Sequence, residues 1–557
     1  INKFTNNFTL HLDARRNWKH RATSGRNINV FGFVDGLKSE EFIQKLSTAS
    51  AAEIQNILAL WTGHFMFTIE DPEFVLAATD PSGACQLLWA ENKGALIIAD
   101  NINFLVSYLK LSEHDLDKDM ALSVAMSGYT IGNSTLYRSV KLLGAGQYLI
   151  AEKAGIRVSN YYKWVPKQNE PISRSSIDEL IHLNNKVIEK LIKRADGQKI
   201  IVPLSAGWDS RFVASGLADQ NYDNVLCVSY GRPRNRETNV AKQVASTLGF
   251  RHIELRYTKK LIQSICQTEE YSVYKKFCDT GTGVHFFGEY PMLKLLSQKG
   301  ELDTTTIFAN GQSGDFISGN HIPSCFADTK SLGDGASLRL DTILDALTDK
   351  HYALWKTLCT EKNLKSIKVS LNDQINSLGG LPSLQSNDYG MFEAIEFYNR
   401  QSKYVLNGLK TYEFFGHEWS IPLWDKEYMD FWRRVSLTEK KQQILYKETL
   451  LKQNWGKTWL EVEINPSIPI PLPLNSVRFF LKALFLFFGK DRWHDFERHY
   501  LDMFMTNTHG YAFKTKMEVW LDRRQHRNAM SYIVEEYLND RSIRWDGQPL
   551  PKPSTSE

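Results

Sequence analysis

At about 150 residues per domain, 557 residues allow about three to four domains with large buried cores, which excludes a small stapled scaffold. Lys and Arg number 67 and Asp and Glu 63, a formal charge of +4, with 42% apolar and 23% charged residues; disordered, collagen-like and nucleic-acid-coating classes are thereby disfavoured. Six scattered cysteines (Cys85, Cys227, Cys266, Cys278, Cys325, Cys359) with no CxxC argue against a zinc site or disulfide framework and for a reducing compartment. With no signal-like start and no run of about 18 apolar residues, the expected location is cytoplasmic.

In chain order, the first 150 or so residues predict short strands: Asn27 to Phe33, His64 to Glu70, Phe74 to Thr79, Ala95 to Ala99 and Gln147 to Glu152, with helices over Lys38 to Leu60 and Ile102 to Leu109. An antiparallel sandwich fits them, closing with a hairpin at Ala154-Gly155. From about Ile177 single apolar strands alternate with helices: strand Lys199 to Leu204, helix Arg211 to Ala218, strand Asn224 to Tyr230, helix Arg236 to Leu248 stopped by Gly249, strand Arg251 to Leu255. This is a βαβαβ unit of a parallel sheet, so chemistry belongs in the loops starting at Ser205, Gly231 and Gly311.

Residues 350 to 460 read as helix-rich. Pro466, Pro469, Pro471 and Pro473 then mark an extended connector. Phe479 to Phe488 is nine apolar residues in ten, too short to span a bilayer. It reads first as a buried helix or a homodimer contact, and second as a foot on a membrane surface between Arg478, Lys482, Lys490 and Arg492. The tail from Pro549 reads as a disordered end.

The segment Ile201 to Arg211 (IVPLSAGWDSR) carries the strongest chemical signal. A buried strand stops, a turn of Ser205, Ala206 and Gly207 exposes backbone N–H groups, and a helix begins at Ser210. That arrangement suits a phosphate or pyrophosphate, with Asp209 at its rim as a magnesium ligand. It is neither a GxxxxGK[ST] loop nor a GxGxxG fingerprint.

Leu204 to Ser210 (LSAGWDS) resembles the SGGxDS pyrophosphate loop of the asparagine synthetase and β-lactam synthetase superfamily. So do Glu237, Ala241, Val244-Ala245, Leu248-Gly249 and His252; Asn310 to Asp315 (NGQSGD) with Gly319; Glu418 to Asp425 (EWSIPLWD), similar to ExRxPFLD; and Lys447 beyond it. The likeness covers roughly residues 160 to 455. Gly63 to Phe65, Asp80 to Gly83, Leu96 to Asn101, Gly132 to Leu136 and Gly146 resemble the family's glutamine-amidotransferase domain, whose thiolate nucleophile is a leading cysteine. Here residue 1 is Ile1 and the first cysteine is Cys85, so the front domain is expected to keep the scaffold without glutamine hydrolysis.

The resemblance implies an α+β N-terminal sandwich of the Ntn-hydrolase-like αββα type over residues 1–160. An α/β parallel-sheet PP-loop synthetase domain, adenine-nucleotide α-hydrolase-like with helical additions, follows over 161–464, and a proline-hinged helical extension over 465–557. It implies an ATP-dependent amide-forming ligase: a substrate carboxylate attacks the α-phosphate of ATP, releasing pyrophosphate, and ammonia or an amine then displaces AMP. Leu204, Ser205, Ala206, Gly207, Asp209, Ser210, Ser229, Tyr230 and Gly311 would bind ATP, Asp209 and Asp315 would hold Mg2+, and Lys447 would neutralise the reacting phosphate.

Three positions depart from the pattern: Ala206 for the second glycine, Phe316 for a catalytic glutamate beside Asp315, and Ser420 for the arginine of ExRxPFLD. An acceptor other than free aspartate follows. The stretch Ser229-Tyr-Gly231, Asn235-Arg-Glu237 with Asn310 to Gly319 resembles members associated with bacterial surface-polysaccharide genes, which implies a glycan-precursor carboxylate of the uronic-acid type. The alternatives are an intramolecular amide synthetase of the β-lactam or lasso-peptide type and a non-catalytic nucleotide-binding relative. Nucleic acid is not expected as a partner. Arg400 and Lys403 read equally as anion binders or surface charges, His252 as structural, and Gly281-Thr-Gly283 as a turn.

Overall fold

A computed structural model describes residues 8–23, 25–167, 175–233, 235–326, 335–466, 472–485, 489–505, 511 and 514–545. Ile1, Pro469, Pro471, residues 486–488 and the tail from Pro549 lie outside them.

Two sheets form the front of the chain. One has six strands, each antiparallel to its neighbours, in the order Gly155–Asn160, Gln147–Glu152, Val75–Thr79, Gly63–Glu70, Arg26–Val34, Lys19–Thr23. The other has four, in the order Phe8–His11, Ala95–Ala99, Leu87–Asn92, Val140–Leu143, with the first pair parallel. Side chains alternate across each strand, so both faces of both sheets must be covered. Phe65, Phe67, Ile69, Ile28 and Val30 pack under Phe42, Leu46 and Ile54 of helices Ser39–Thr48 and Ala51–Leu58. Phe31, Met66, Val75 and Ala77 turn the other way and meet Leu87, Leu96, Ile98 and Leu143 of the second sheet. Leu88, Ala90, Ile97 and Ala99 then lie against Ile102 and Leu105 of helix Ile102–Leu109. The layers therefore run helix, sheet, sheet, helix.

The single helix predicted over 38–60 is two, because Ser50 starts a new one. Its hydroxyl accepts from the Glu53 N–H while the Glu53 carboxylate accepts from the Ser50 N–H. Among the described residues of the front, five strands escaped the period-2 reading; Lys19–Thr23 (KHRAT) carries almost no apolar signal, being an exposed edge.

The second half is built on a five-stranded, wholly parallel sheet ordered Arg251–Arg256, Val225–Gly231, Ile200–Pro203, Ile307–Ala309, Glu418–Ser420. Helices Asp209–Asp219 and Arg236–Thr247 link the first three strands, within two residues of the predicted bounds. The chain winds outward from Ile200–Pro203 in one direction and then resumes on its other side with Ile307–Ala309. The order reverses between these two strands, and it is at the carboxyl ends flanking such a reversal that open α/β sheets place their ligands.

Front layers and parallel sheet meet along Phe397–Val405, nine residues of π-helix. Gln86 Nε2 donates to Ser402 O at 2.6 Å, Ser402 Oγ to Ser82 O at 3.2 Å, and Gly132 N–H to Asn399 Oδ1 at 3.0 Å. Lys403 corrects its sequence reading as a surface or ligand-binding charge. It is wholly buried and donates to Thr130 O at 2.8 Å, and burial holds its pKa well below the usual lysine value.

The C-terminal part also differs from expectation. Pro473 falls in the first turn of helix Leu472–Leu484, where a missing N–H costs nothing, rather than in an extended connector. That helix is not buried: Phe479 is 77% and Phe480 65% exposed. Helix Met530–Asn539, by contrast, enters the core, with Tyr532, Val534 and Leu538 clustered with Val124, Tyr129 and Trp355. Among the described residues no helix is long and apolar enough to cross a membrane, and no cysteine is in a disulfide.

Candidate functional site

At this reversal the turn after Ile200–Pro203 meets the loop after Ile307–Ala309. The turn folds on its own hydroxyls: the Ser205 N–H donates to Ser210 Oγ at 2.9 Å and the Gly207 N–H to Ser205 Oγ at 3.2 Å. Two of the amides expected to cradle phosphate are thus engaged by hydroxyl oxygens, in positions that phosphate oxygens would have to take over. Ala206 has no left-handed φ, so the turn does not need glycine there. Arg211, also wholly buried, anchors the turn from behind. Its guanidinium donates to the carbonyls of Thr458 (2.8 Å), Val462 (2.9 Å), Ala206 (3.3 Å) and Glu463 (2.7 Å).

The helix starts one residue earlier than predicted, at Asp209, and the loop Asn310 to Asp315 is pressed onto it. The Asp315 N–H donates to Asp209 Oδ2 at 2.9 Å and Tyr446 Oη donates to Asp209 Oδ1 at 3.2 Å. A Cβ on Gly311 would stand 2.5 Å from the Asp209 carbonyl carbon. Burial, reinforced by the Asp315 charge, raises the Asp209 pKa to about 7.

Asp315 is held from the other side. His321 Nε2 lies 3.1 Å from Asp315 Oδ2, and its Nδ1 bonds to Glu396, which also contacts His351 Nε2 at 3.0 Å and Gln401 Nε2 at 3.2 Å. Burial alone would lower the His321 pKa, but Glu396 and Asp315 outweigh it and hold the ring up at about 9. The His321 hydrogen bond and charge in turn outweigh burial at Asp315 and lower its pKa. Arg400, with its Nη1 3.5 Å from Glu396, stands partly exposed beside this cluster.

The structure brings Ser205, Gly207, Asp209, Ser210, Gly311 and Asp315 together. Lys447 does not contact either aspartate. It sits on helix Ile444–Gln453 with Nζ 5.9 Å from the centre of the Trp208 ring and donates to Gln442 O at 2.8 Å. Phe316 is wholly buried against Trp164 and Trp424. The sequence reading missed Tyr446, His321 and Glu396, which come from three separate elements without a shared motif.

A cavity of 560 Å³ opens beside the turn. Leu204, Ser205, Ser229 and Tyr230 line it together with Phe286, Phe287 and Tyr404, and Tyr511, Asn528, Met530 and Ile533 of the C-terminal part complete the lining. The edge strand steadies this lining, since His252 Nε2 lies 2.9 Å from Ser229 Oγ. The C-terminal wall had no sequence signal.

No family model matches the chain, and no curated protein matches it. Among solved structures it is similar to an allosteric regulatory enzyme of purine biosynthesis, at 11% identity and TM-score 0.18 over 42% of this chain and 61% of that one. It is also similar to the glutamine phosphoribosylpyrophosphate amidotransferase of B. subtilis complexed with ADP and GMP, at 11% identity and TM-score 0.19 over 52% and 63%. A third is the NH3-dependent NAD synthetase of Campylobacter jejuni in complex with nitrate, at 15% identity and TM-score 0.21 over 37% and 98%. The chain thus covers less than two thirds of the first two.

Proposed function

We propose that the chain is an ATP-dependent amide-forming ligase of the asparagine synthetase-like kind, acting on a carboxylate acceptor and releasing AMP and pyrophosphate. The observation that carries this reading is the placement of Asp209 against the Asp315 loop at the sheet's order reversal, beside a cavity with aromatic walls. A turn of small residues in front of a helix N-terminus suits phosphate, and the flat aromatic lining suits a nucleoside base.

Magnesium fits the donor set in one way only. Among the described residues no group of three His, Cys, Asp or Glu side chains could hold a metal alone. Two carboxylates are what Mg2+ takes when phosphate oxygens and waters complete its shell. Asp209 and Asp315 would hold it, and it would supply charge neutralisation at the phosphates. The remaining work belongs to the chain. Tyr446 and the Asp315 N–H aim Asp209, His321 aims Asp315, and Arg211 fixes the turn. Lys447, with Nζ 5.9 Å from the centre of the Trp208 ring, is the positive charge this reading assigns to the reacting phosphate. Arg400, partly exposed beside Glu396, is the cation this reading assigns to the acceptor carboxylate. The acceptor read from the sequence resemblance is a uronic-acid-type sugar precursor, amidated with ammonia or an amine.

The test is pyrophosphate exchange into ATP across a panel of carboxylic acids. An acid-dependent exchange that Asp209→Ala abolishes supports the reading; acid-dependent formation of ADP overturns it.

A further inference from the structure

Helix Leu472–Leu484 should not look as it does if it belonged to the core. Val477, Phe480 and Leu484 fall on one stripe and are each 50% or more exposed, with Phe479 beside them at 77%. The patch continues across two neighbouring elements. Helix Lys490–Tyr500 is tied to the first by an ion pair between Arg478 and Glu497 and by Phe485 lying 4.9 Å from Phe496. Helix Lys516–Leu521 adds Met517, Trp520 and Leu521, exposed by 60%, 41% and 70%, and Trp520 Nε1 donates to Tyr500 O at 3.3 Å. Among the described residues, eight of the sixteen exposed large apolar side chains lie between 472 and 527. Such clustering marks a contact surface rather than scattered surface hydrophobes.

Charge decides what covers it. Residues 472–527 hold ten Lys and Arg against six Asp and Glu, an excess of four that equals the formal charge of the whole chain, so the remaining residues balance to zero. Lys482 and Arg492 stand exposed beside the aromatic stripe, and Lys516 and Arg523 beside the second group. A second copy docking symmetrically would set this positive region against itself. An anionic bilayer surface meets both features, taking the aromatic side chains into the interface and pairing the flanking cations with headgroups. We infer that the helices Leu472–Leu484, Lys490–Tyr500 and Lys516–Leu521 dock the protein on an anionic lipid surface. The C-terminal part that carries these helices also contributes Tyr511, Asn528, Met530 and Ile533 to the lining of the 560 Å³ cavity.

The full chain is floated with vesicles of phosphatidylcholine with and without phosphatidylglycerol, and its mass in lipid-free solution is read by sedimentation. The expected result is flotation with the anionic vesicles only, falling roughly tenfold or more in the triple variant Phe479→Ser, Phe480→Ser, Leu484→Ser and on raising salt. All three positions are exposed, and circular dichroism with a thermal melt verifies that the variant keeps its fold. A wild-type chain that stays unbound, or a variant that floats as well as wild type, overturns the inference. So does a lipid-free dimer that the triple variant dissolves, which makes the patch a self-interface.

Discussion

A Cβ placed on Gly314 would stand 2.5 Å from Asp209 Oδ1, so the absence of a side chain at one residue sets the position of the carboxylate of another. Gly314→Ala forces the carboxylate aside while leaving its charge in place. A shift of about 1 Å in a positioned group is worth about 100-fold in rate, and pyrophosphate exchange in Gly314→Ala is expected to fall by that order. Near-wild-type exchange would show that Asp209 has slack.

Asp209 also gives the protein a pH signature before any ligand binds. Its folded pKa of about 7 lies above the value for an unfolded aspartate, so the folded state takes up a proton more readily. That contribution is fully present below about pH 4 and is lost as pH rises through about 7. Relative to Asp209→Asn, the wild-type protein should lose stability across this interval, read as the difference in urea midpoints. A flat difference would place the carboxylate in water.

Arg211 binds four carbonyls and no carboxylate, and burial alone lowers its pKa to about 10. Arg211→Met leaves those acceptors unpaired, at an expected cost of about 3 kcal/mol or more. Arg211→Lys should recover little, since a point ammonium cannot span the fork. Denaturant melts of the two variants decide this; a cost under about 1 kcal/mol would mean that water replaces the fork.

At Lys403 the sign runs opposite to that at Asp209. Burial lowers the folded pKa, the unfolded chain binds the extra proton, and stability rises with pH. Measured against Lys403→Met, the wild type should gain ground as pH climbs from 7 toward 10. A constant gap would mean that the ammonium stays charged at Thr130.

The strands facing apolar layers on both sides and the βαβαβ unit were legible because burial writes an alternation or an unbroken apolar run into the sequence, as in Gly63–Glu70 and Ile200–Pro203 respectively. The turn at Ser205 to Ser210 was legible because a strand, small residues and a helix start are contiguous. His321, Glu396 and Tyr446 were not, because they meet only once distant elements pack and each alone looks like an ordinary polar residue. For Phe479 to Phe485 only the buried-helix option fails, Phe479, Phe480 and Leu484 being exposed: an apolar run records aversion to water and not what relieves it.

The π-helix hands successive side chains to different clients. Asn399 and Lys403 serve the loop at Thr130 to Gly132, Ser402 the segment at Ser82 to Gln86, Gln401 accepts from Ser313 at 2.9 Å, and Tyr404 enters the cavity. Deleting one residue there would rotate everything after it about the helix axis and miss every client at once. Front layers and reactive loop are thus machined on a single jig. A change in one is felt by the other, so the front layers act as a gauge for the reactive loop.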